Sequence, residues 1–250
     1  MRIDVTLDGA IANVVFERPG RLNAIAPDDL PRLAKALWEA GGQGRAVVVR
    51  GAGGAFSAGD DLHATADFTP GEWRTVVEGF HELTRGALAL DVPVIAAIDG
   101  VCVGGAFEFA CSCDLRVATT RSRVGCPEVG IGLVVSNAAT VLLPRLCGAG
   151  YASELVLTGR LVSASEAYEH GLLNALVESE ELEALAQEIA ARAPLAVRAT
   201  KRLFVDPLRE AVEEAMTRET EALVELSATA DMREGFAAFL EKRPASFAGE

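Results

Sequence analysis

Apolar and polar residues alternate over residues 2–7 and again over residues 10–16. This alternation predicts two half-buried strands that form a hairpin. Residues 46–49 and 93–98 are continuously apolar, and residues 114–118 are predicted to form a further strand. Short apolar runs of this kind are typical of strands that are buried on both faces. The first half of the chain is therefore expected to contain a sheet with a buried centre.

Helical spacing of apolar residues separates these strands. It predicts helices over residues 27–40, ended by Gly41 and Gly42, and over residues 71–90 and 106–111. From Ser136 onward the chain is mostly helical. The expected helices there run from Ser136 to Leu146, from 150 to 158, from the Ser-x-x-Glu capping box at Ser163 to Gly171, and over 180–193, 195–205, 207–228 and 231–242, with one strand over 172–177. Strand–turn–helix units followed by a helical tail predict an α/β core and a C-terminal helical segment.

Composition narrows the class of protein. The chain has 250 residues, of which 50% are hydrophobic, and a formal net charge of −13. The acidic balance argues against sequence-independent binding to nucleic acid, which depends on neutralising phosphates. No segment has the roughly 20 unbroken apolar residues of a membrane helix, and the first residues lack a signal-peptide core. We therefore expect a cytoplasmic protein with neither nucleic-acid nor membrane partners.

The five cysteines lie in apolar surroundings, at positions 102, 111, 113, 126 and 147. They are expected to be reduced and buried, as is usual for a cytosolic protein. Only Cys111 and Cys113 form a close pair, and no second pair or nearby histidine completes a zinc-binding set. The sequence therefore predicts no metal site.

Two glycine-rich turns are candidates for chemistry. Gly104 and Gly105 lie between a predicted strand and a predicted helix, where helix N–H groups are unpaired and a ligand can approach the backbone closely. Glu108 follows one helical turn later, on the same face. This arrangement is either half of an active site or a packing turn beside a surface glutamate. The turn at residues 51–62 lacks the third glycine of a dinucleotide-binding loop, yet it can also expose N–H groups.

Glu128 is a third candidate. Pro127 stiffens the backbone beside it, although a loop carboxylate in this position can equally lie in solvent.

The order and spacing of these motifs resemble the crotonase superfamily of enoyl-CoA hydratases and isomerases. The resemblance covers essentially the whole chain. The matching segments are Arg18-Pro19 with Leu22-Asn23-Ala24, Phe56 to Leu62, Gly100 to Asp114, Pro127-Glu128 with Gly130 and Gly132, Leu157 to Gly159, Gly171-Leu172, and Glu234 to Arg243.

The resemblance implies a spiral of ββα units over residues 1–190 that binds acyl-CoA. It also implies a C-terminal helical segment over residues 191–250 that builds homotrimers or homohexamers. The implied substrate is an acyl-CoA thioester, so coenzyme A arrives as part of the substrate and no separate cofactor is expected.

The resemblance also implies a set of site residues. Ala58 and Gly105 would supply the two backbone N–H groups of an oxyanion hole, and Glu108 and Glu128 correspond to the two glutamates of hydratases. We expect Glu128 to donate a proton at C2 and Glu108 to orient and activate water. The substrate-binding residues would be Ala58, Gly59, Asp60, Asp61, Gly105, Arg21 and Leu22.

The phosphates of coenzyme A need cations. Arg18, Arg21, Lys242 and Arg243 are candidates, although each can equally be a solvated surface charge.

One segment departs from the family pattern. Residues 136–142 read Ser-Asn-Ala-Ala-Thr-Val-Leu, where hydratases carry a glycine-rich run. Ser136 falls near the expected water position, but the favoured interpretation is a helix N-cap. Hydration of a 2-enoyl-CoA is the first functional hypothesis, since two glutamates are present. Double-bond isomerisation, decarboxylation or hydrolysis of a CoA thioester, and a catalytically weak scaffold subunit are the alternatives.

Overall fold

The computed structural model describes residues 1–250. Its nine strands are β1 (Arg2–Asp8), β2 (Ile11–Glu17), β3 (Ala46–Gly51), β4 (Val94–Ile98), β5 (Val101–Val103), β6 (Leu115–Thr119), β7 (Arg123–Gly125), β8 (Val162–Ser163) and β9 (Ala175–Val177). Its helices are α1 (Leu30–Gln43), α2 (Leu62–Thr65), α3 (Pro70–Ala89), α4 (Gly105–Ser112), α5 (Ala139–Cys147), α6 (Ala149–Thr158), α7 (Ala164–Glu169), α8 (Ala184–Ala190), α9 (Pro194–Val205), α10 (Arg209–Leu226) and α11 (Ala230–Glu241), with short 3-10 turns at Pro27–Asp29, Glu128–Ile131, Ser179–Glu181 and Asp206–Leu208.

Two sheets organise the chain. A six-stranded sheet has the order β1-β2-β3-β4-β6-β9, and a three-stranded sheet has the order β5-β7-β8. In the large sheet only β1 is antiparallel to its neighbour, and the remaining pairs are parallel. This mixed α/β architecture with C-terminal helices agrees with the predicted fold class.

The inner strands of the large sheet are buried on both faces, which explains why they are continuously apolar. Along β3, Val47 and Val49 belong to the main core together with α1, α3 and α4. Ala46 and Val48 point to the other face, where they pack with Leu182 and with α8. Each inner strand therefore needs apolar residues at consecutive positions rather than alternate ones.

Several predicted boundaries are corrected. Helix α1 does not end at Gly41 but continues to Gln43, and the Gly44 N–H still donates to the Ala40 carbonyl at 3.2 Å. Strands β5, β7 and β8 were not predicted, because two or three residues carry too little periodicity. The expected strand over 172–177 is limited to β9. All five cysteines are free, and Cys147 is only half-buried.

None of the helices is both long enough and apolar enough to cross a membrane.

The buried guanidinium of Arg116 on β6 holds the C-terminal end of α4. It donates to the carbonyls of Ala110 and Cys113 at 3.1 and 2.8 Å, and to the carbonyl of Leu172 at 2.8 Å. Helix C-termini leave carbonyls without partners, and a buried carbonyl without a partner is costly. Arg116 therefore fixes the helix that carries Glu108.

Replacing Arg116 with Met is expected to lower the free energy of unfolding by about 3 kcal/mol, since several buried carbonyls lose their donors. Urea denaturation followed by circular dichroism measures the change. Arg123→Met is the matched control, because Arg123 is exposed and donates to a single carbonyl, that of Leu161. Equal stabilities of the two variants would contradict this role for Arg116.

Candidate active site

The site forms where the two sheets meet, at the turn between β5 and α4. Gly104 adopts φ +63°, a conformation that favours glycine, and Gly105 begins the helix. A Cβ atom on Gly104 would lie 3.3 Å from Glu128 Oε1, and one on Gly105 would lie 3.0 Å from Asp60 Oδ2. The two glycines therefore let two carboxylates approach the backbone at the N-terminus of α4.

The glycine-rich turn after β3 forms the side of the site that faces the N-terminus of α4. Ile25 N–H donates to the Gly59 carbonyl at 2.8 Å, and Asp61 N–H donates to the Ile25 carbonyl at 2.9 Å. The intervening Asp60 N–H is left out of this pairing. The Asp60 carboxylate faces its own N–H and the N–H of Gly105, and both groups lower its pKa against the larger effect of burial. Two main-chain amides thus converge on one anionic group.

The predicted role of Ala58 as an amide donor to the oxyanion is corrected. Ala58 N–H donates to the Leu22 carbonyl at 2.9 Å and is not free for a ligand. The converging pair is Asp60 and Gly105. Because Gly59 has φ +82°, the chain reverses between Ala58 and Asp60, and sequence spacing does not show which of the two amides faces the cavity.

Asn23 fixes this turn to the first loop. Its side-chain Nδ2 donates to the carbonyls of Ala52 and Ala55, both at 2.8 Å, and its side-chain Oδ1 accepts from Arg18 N–H at 2.8 Å. The Leu22-Asn23-Ala24 motif thus has a structural explanation, since it positions the turn that carries Asp60.

Glu108 and Glu128 lie side by side, as predicted. They are 1% and 9% exposed, which overturns the alternatives of a surface glutamate and a solvated loop carboxylate. One oxygen of each lies within 4.8 Å of the other and of Cys126 Sγ. Glu108 Oε1 and Glu128 Oε2 are buried without a hydrogen-bond partner. No other side chain or backbone group of the protein bonds to these two oxygens, and the two carboxyl groups face each other closely enough to share a proton.

Burial dominates the electrostatics of this carboxylate cluster. It raises the pKa of Glu108 well above its ordinary value, and the charge of Glu128 adds to the effect. Burial also raises the pKa of Glu128 to about 8, helped by the charge of Asp60. Asp60 itself has a pKa raised to about 6 by burial. At neutral pH the two glutamates therefore do not both carry a charge, because each ionisation disfavours the next.

Ser136 is not the N-cap of the following helix, which is a second correction. Helix α5 begins at Ala139, and the N–H groups of Ala138 and Thr140 donate to the Glu219 carboxylate at 2.8 and 2.9 Å. Ser136 instead donates from its hydroxyl to Glu108 Oε2 at 2.8 Å. Sequence reasoning missed Glu219, a residue of α10 that lies 81 residues after Ala138 in the chain.

Two of the four cations predicted to bind phosphate already form ion pairs with carboxylates of the protein. Arg18 pairs with Asp61 at 3.1 Å and with Asp29 at 3.4 Å, so the buried Asp61 carboxylate holds the first loop. Arg243 pairs with Glu234 at 2.6 Å. The two remaining candidates, Arg21 and Lys242, are exposed. Contacts of Arg21, Leu22 and Gly59 with coenzyme A remain predictions.

Comparisons with known proteins identify the family of the chain. The family model described as enoyl-CoA hydratase/isomerase matches residues 6–250. The short-chain-enoyl-CoA hydratase of Clostridium acetobutylicum is 35% identical over 243 residues, which cover 94% of this chain and 93% of that protein. The crotonyl-CoA hydratase of Syntrophomonas wolfei is 34% identical over 244 residues, which cover 95% and 94%.

Solved structures show the same fold. An enoyl-CoA hydratase from Mycobacterium avium subsp. paratuberculosis superposes with a TM-score of 0.89 at 25% identity, over 98% of both chains. An enoyl-CoA hydratase/isomerase from Pseudoalteromonas atlantica superposes with a TM-score of 0.86 at 30% identity, over 98% of this chain and 99% of that chain. The expected crotonase fold is confirmed, and the chain belongs to the enoyl-CoA hydratase/isomerase family of the crotonase superfamily.

Proposed function

We propose that the protein adds water across the 2,3 double bond of a 2-enoyl-CoA thioester. One observation carries the proposal: two buried carboxyl groups, each with an unpartnered oxygen, lie together beside two converging main-chain amides. Its relatives support the same activity, because those named above are described as short-chain-enoyl-CoA and crotonyl-CoA hydratases.

The amides of Asp60 and Gly105 would hold the thioester oxygen. Attack of water at C3 moves an electron pair to that oxygen and forms an enolate, so negative charge develops where two N–H groups converge. Removing one such preorganised donor typically costs about 3 kcal/mol of barrier height. The N-terminus of α4 adds the positive end of its helix dipole at the same place.

The two glutamates would move the protons. Glu108 Oε1 accepts a proton from the attacking water as the C3–O bond forms. Glu128 delivers its proton to C2 as the enolate collapses to the thioester. The proton that Glu108 took from water then passes to the neighbouring Glu128 carboxylate, which restores both groups for the next turnover. A pKa raised to about 8 favours the protonated form of Glu128 at neutral pH, as a proton donor requires. Burial also raises the pKa of Glu108, but the hydrogen bonds that Ser136 donates to it lower that pKa and favour the carboxylate that a base requires. No further cofactor takes part in these steps.

Assays with crotonyl-CoA and a 3-enoyl-CoA test the proposal. We expect loss of the enoyl absorbance of crotonyl-CoA with formation of 3-hydroxyacyl-CoA, detected by mass spectrometry. Conversion of the 3-enoyl-CoA without hydration of crotonyl-CoA would instead establish the isomerase alternative. Release of free coenzyme A would identify a hydrolase, and release of carbon dioxide from a 2-carboxyacyl-CoA supplied in a parallel assay would identify a decarboxylase. Inactivity on every thioester would favour a scaffold subunit.

We also propose that residues 191–250 assemble the protein into a homotrimer or homohexamer. Large apolar side chains stand exposed on α9, where Leu195 and Leu203 are each 78% and Phe204 is 74% exposed. Several large apolar side chains exposed on one helix are typical of an interaction site. Sedimentation velocity measures the assembly, and a monomer would contradict this proposal.

Replacing Asp60 with Ala is expected to lower KM for crotonyl-CoA about tenfold at pH 7.5. Above about pH 6 the Asp60 carboxylate is charged and accepts from the two amides that the thioester oxygen needs. A hydrogen bond to a charged group contributes about 1.5 kcal/mol, which corresponds to roughly tenfold. KM of the wild type is therefore expected to rise as pH increases through about 6, whereas KM of the variant stays flat there.

Steady-state kinetics between pH 5.5 and 8, in the range set by this pKa, measure both effects. Asp67→Ala is the control, because Asp67 is an exposed acid a few residues away. An Asp60→Ala protein with a higher KM than the wild type would show that the side chain helps to bind substrate instead.

A further inference from the structure

We propose that Ser136 and Asn137 are positioning residues that reserve one oxygen of Glu108 for hydrogen-bond donors and so confine the exchangeable proton of Glu108 to the other. The inference deepens the proposed function and rests on it, since it concerns the same carboxyl group. It assigns a role to the segment in which this chain departs from the family pattern.

Three donors converge on Glu108 Oε2. The Ser136 hydroxyl donates at 2.8 Å, the Ser136 N–H at 3.1 Å and the Asn137 Nδ2 amide at 3.1 Å. Glu108 Oε1, in contrast, is buried without any partner. A carboxylate oxygen that accepts three hydrogen bonds has no lone pair left for a proton. A proton on Glu108 must therefore sit on Oε1, the oxygen without a protein donor.

The amide of Asn137 is itself held in one orientation. The Thr84 hydroxyl on α3 donates to Asn137 Oδ1 at 3.3 Å, which directs Nδ2 toward Glu108. Asn137 and Ala138 both adopt positive φ, +58° and +59°, a conformation that asparagine tolerates better than most residues. The cluster of Thr84, Asn137, Ser136 and Glu108 is fully buried or nearly so. Its hydrogen bonds therefore act in a medium of low dielectric constant, where they are strong.

A structural role as a helix cap does not explain Ser136. Glu219 already accepts from Ala138 N–H and Thr140 N–H at the start of α5. The Ser136 hydroxyl has no contact with those amides, and its hydrogen-bond acceptor is Glu108.

The titration of Glu108 depends on all groups that face it. Glu128, Glu219 and the burial of the site raise its pKa, while the two Ser136 hydrogen bonds lower it. The thiols of Cys126 and Cys111 lie nearby and stay protonated, because burial raises the pKa of each. Ser136 and Asn137 thus oppose an environment that otherwise favours the neutral acid. Removing their donors should leave less carboxylate at a given pH.

Ser136→Ala tests the inference through the pH profile of kcat/KM for crotonyl-CoA. We expect the acidic limb to move to higher pH, so that kcat at neutral pH falls about tenfold, as the loss of one hydrogen bond to a charged group implies. The difference from the wild type should narrow as pH increases toward about 8, where ionisation of Glu128 lowers the rate of both proteins. KM should change less than about twofold, because the substrate does not touch these donors. Ser136→Thr, which keeps a hydroxyl, should restore the wild-type profile.

Asn137→Gly removes the second donor and tolerates the positive φ at this position. It should shift the acidic limb in the same direction, and the double variant should shift it further. Ser163→Ala is the matched control, because Ser163 caps α7 through Glu166 N–H and does not contact Glu108. Its profile should coincide with that of the wild type.

Infrared difference titration of the buried carboxyl groups, assigned by comparison with Glu108→Gln, separates this inference from the proposed function. If the wild type does not hydrate enoyl-CoA but Ser136→Ala still raises the pKa of Glu108, the proposed function fails and the positioning role stands. A Ser136→Ala protein with the wild-type pH profile and an unchanged Glu108 titration would overturn the inference.

Discussion

Replacing Glu128 with Gln is expected to lower kcat for crotonyl-CoA hydration by about 10³-fold. Gln has the shape of Glu but no proton to deliver to C2, and a positioned general acid or base typically contributes 10²- to 10⁴-fold. Glu108→Gln should cause a loss of similar size, because Gln cannot take the proton of the attacking water. Stopped-flow or steady-state measurement of the enoyl absorbance gives both values.

The control for these variants is Glu180→Gln, which removes an exposed carboxylate and should leave kcat unchanged. If Glu108→Gln and Glu128→Gln both kept wild-type rates, neither carboxyl group would be catalytic. A loss in only one of them would support chemistry with a single acid or base, as double-bond isomerisation requires.

The ionisation of Glu128 sets how the reaction rate and the stability of the protein change with pH. Glu128 must be protonated to act as the acid, and its pKa is raised to about 8, so the wild-type rate should fall as pH increases through about 8. The raised pKa also means that the folded protein binds this proton more tightly than the unfolded chain does. Stability should therefore decline between about pH 4.5 and 8. Glu128→Gln should make that decline smaller, while Glu108 and Asp60, whose pKa values are also raised, keep their share of it. Urea denaturation at several pH values measures the difference.

Gly105→Pro should lower kcat by about 10²- to 10³-fold through loss of one amide donor to the thioester oxygen. Gly105 is the first residue of α4, a position that accepts proline without breaking the helix. The substitution therefore removes the N–H group and keeps the helix.

Gly105→Ala is the matched control, because it adds the same Cβ atom and keeps the donor. In both variants that atom would meet Asp60 Oδ2 at 3.0 Å and the Phe80 ring at 3.1 Å, so the cost of the added Cβ atom is shared. The difference in kcat between Pro and Ala therefore reports the exchange of the N–H donor for the Cδ atom of the proline ring. Equal rates for the two variants would show that Gly105 N–H does not face the reacting oxygen.

Sequence patterns predicted the helices and strands whose formation depends on residues close together in the chain. The buried strands β3 and β4 follow from apolar runs, and α7 follows from its capping box at Ser163. The pairing of Glu108 with Glu128 was reached through the family resemblance, and the structure places the two carboxyl groups together. Spacing alone does not bring them to one cavity.

The remaining features depend on contacts between distant segments. Ser136 matched the pattern of a helix cap, but Glu219 from α10 takes that role and leaves the hydroxyl to Glu108, 28 residues away. The error at Ala58 has a similar cause, since a hydrogen bond to Leu22 across the turn decides which amide is free. Local propensity does not carry such information, because the competing partner lies elsewhere in the chain.

Each of the two C-terminal helices, α10 and α11, contacts a segment that positions one of the two glutamates. On α11, Gly235 packs so closely on the Glu128 turn that a Cβ atom there would lie 2.6 Å from the Ile131 carbonyl oxygen. Helix α10 supplies Glu219 to the loop that holds Glu108. During synthesis, every reacting group therefore leaves the ribosome before the helices that fix its position. A nascent chain should stay inert toward cellular thioesters until α10 and α11 have emerged and docked.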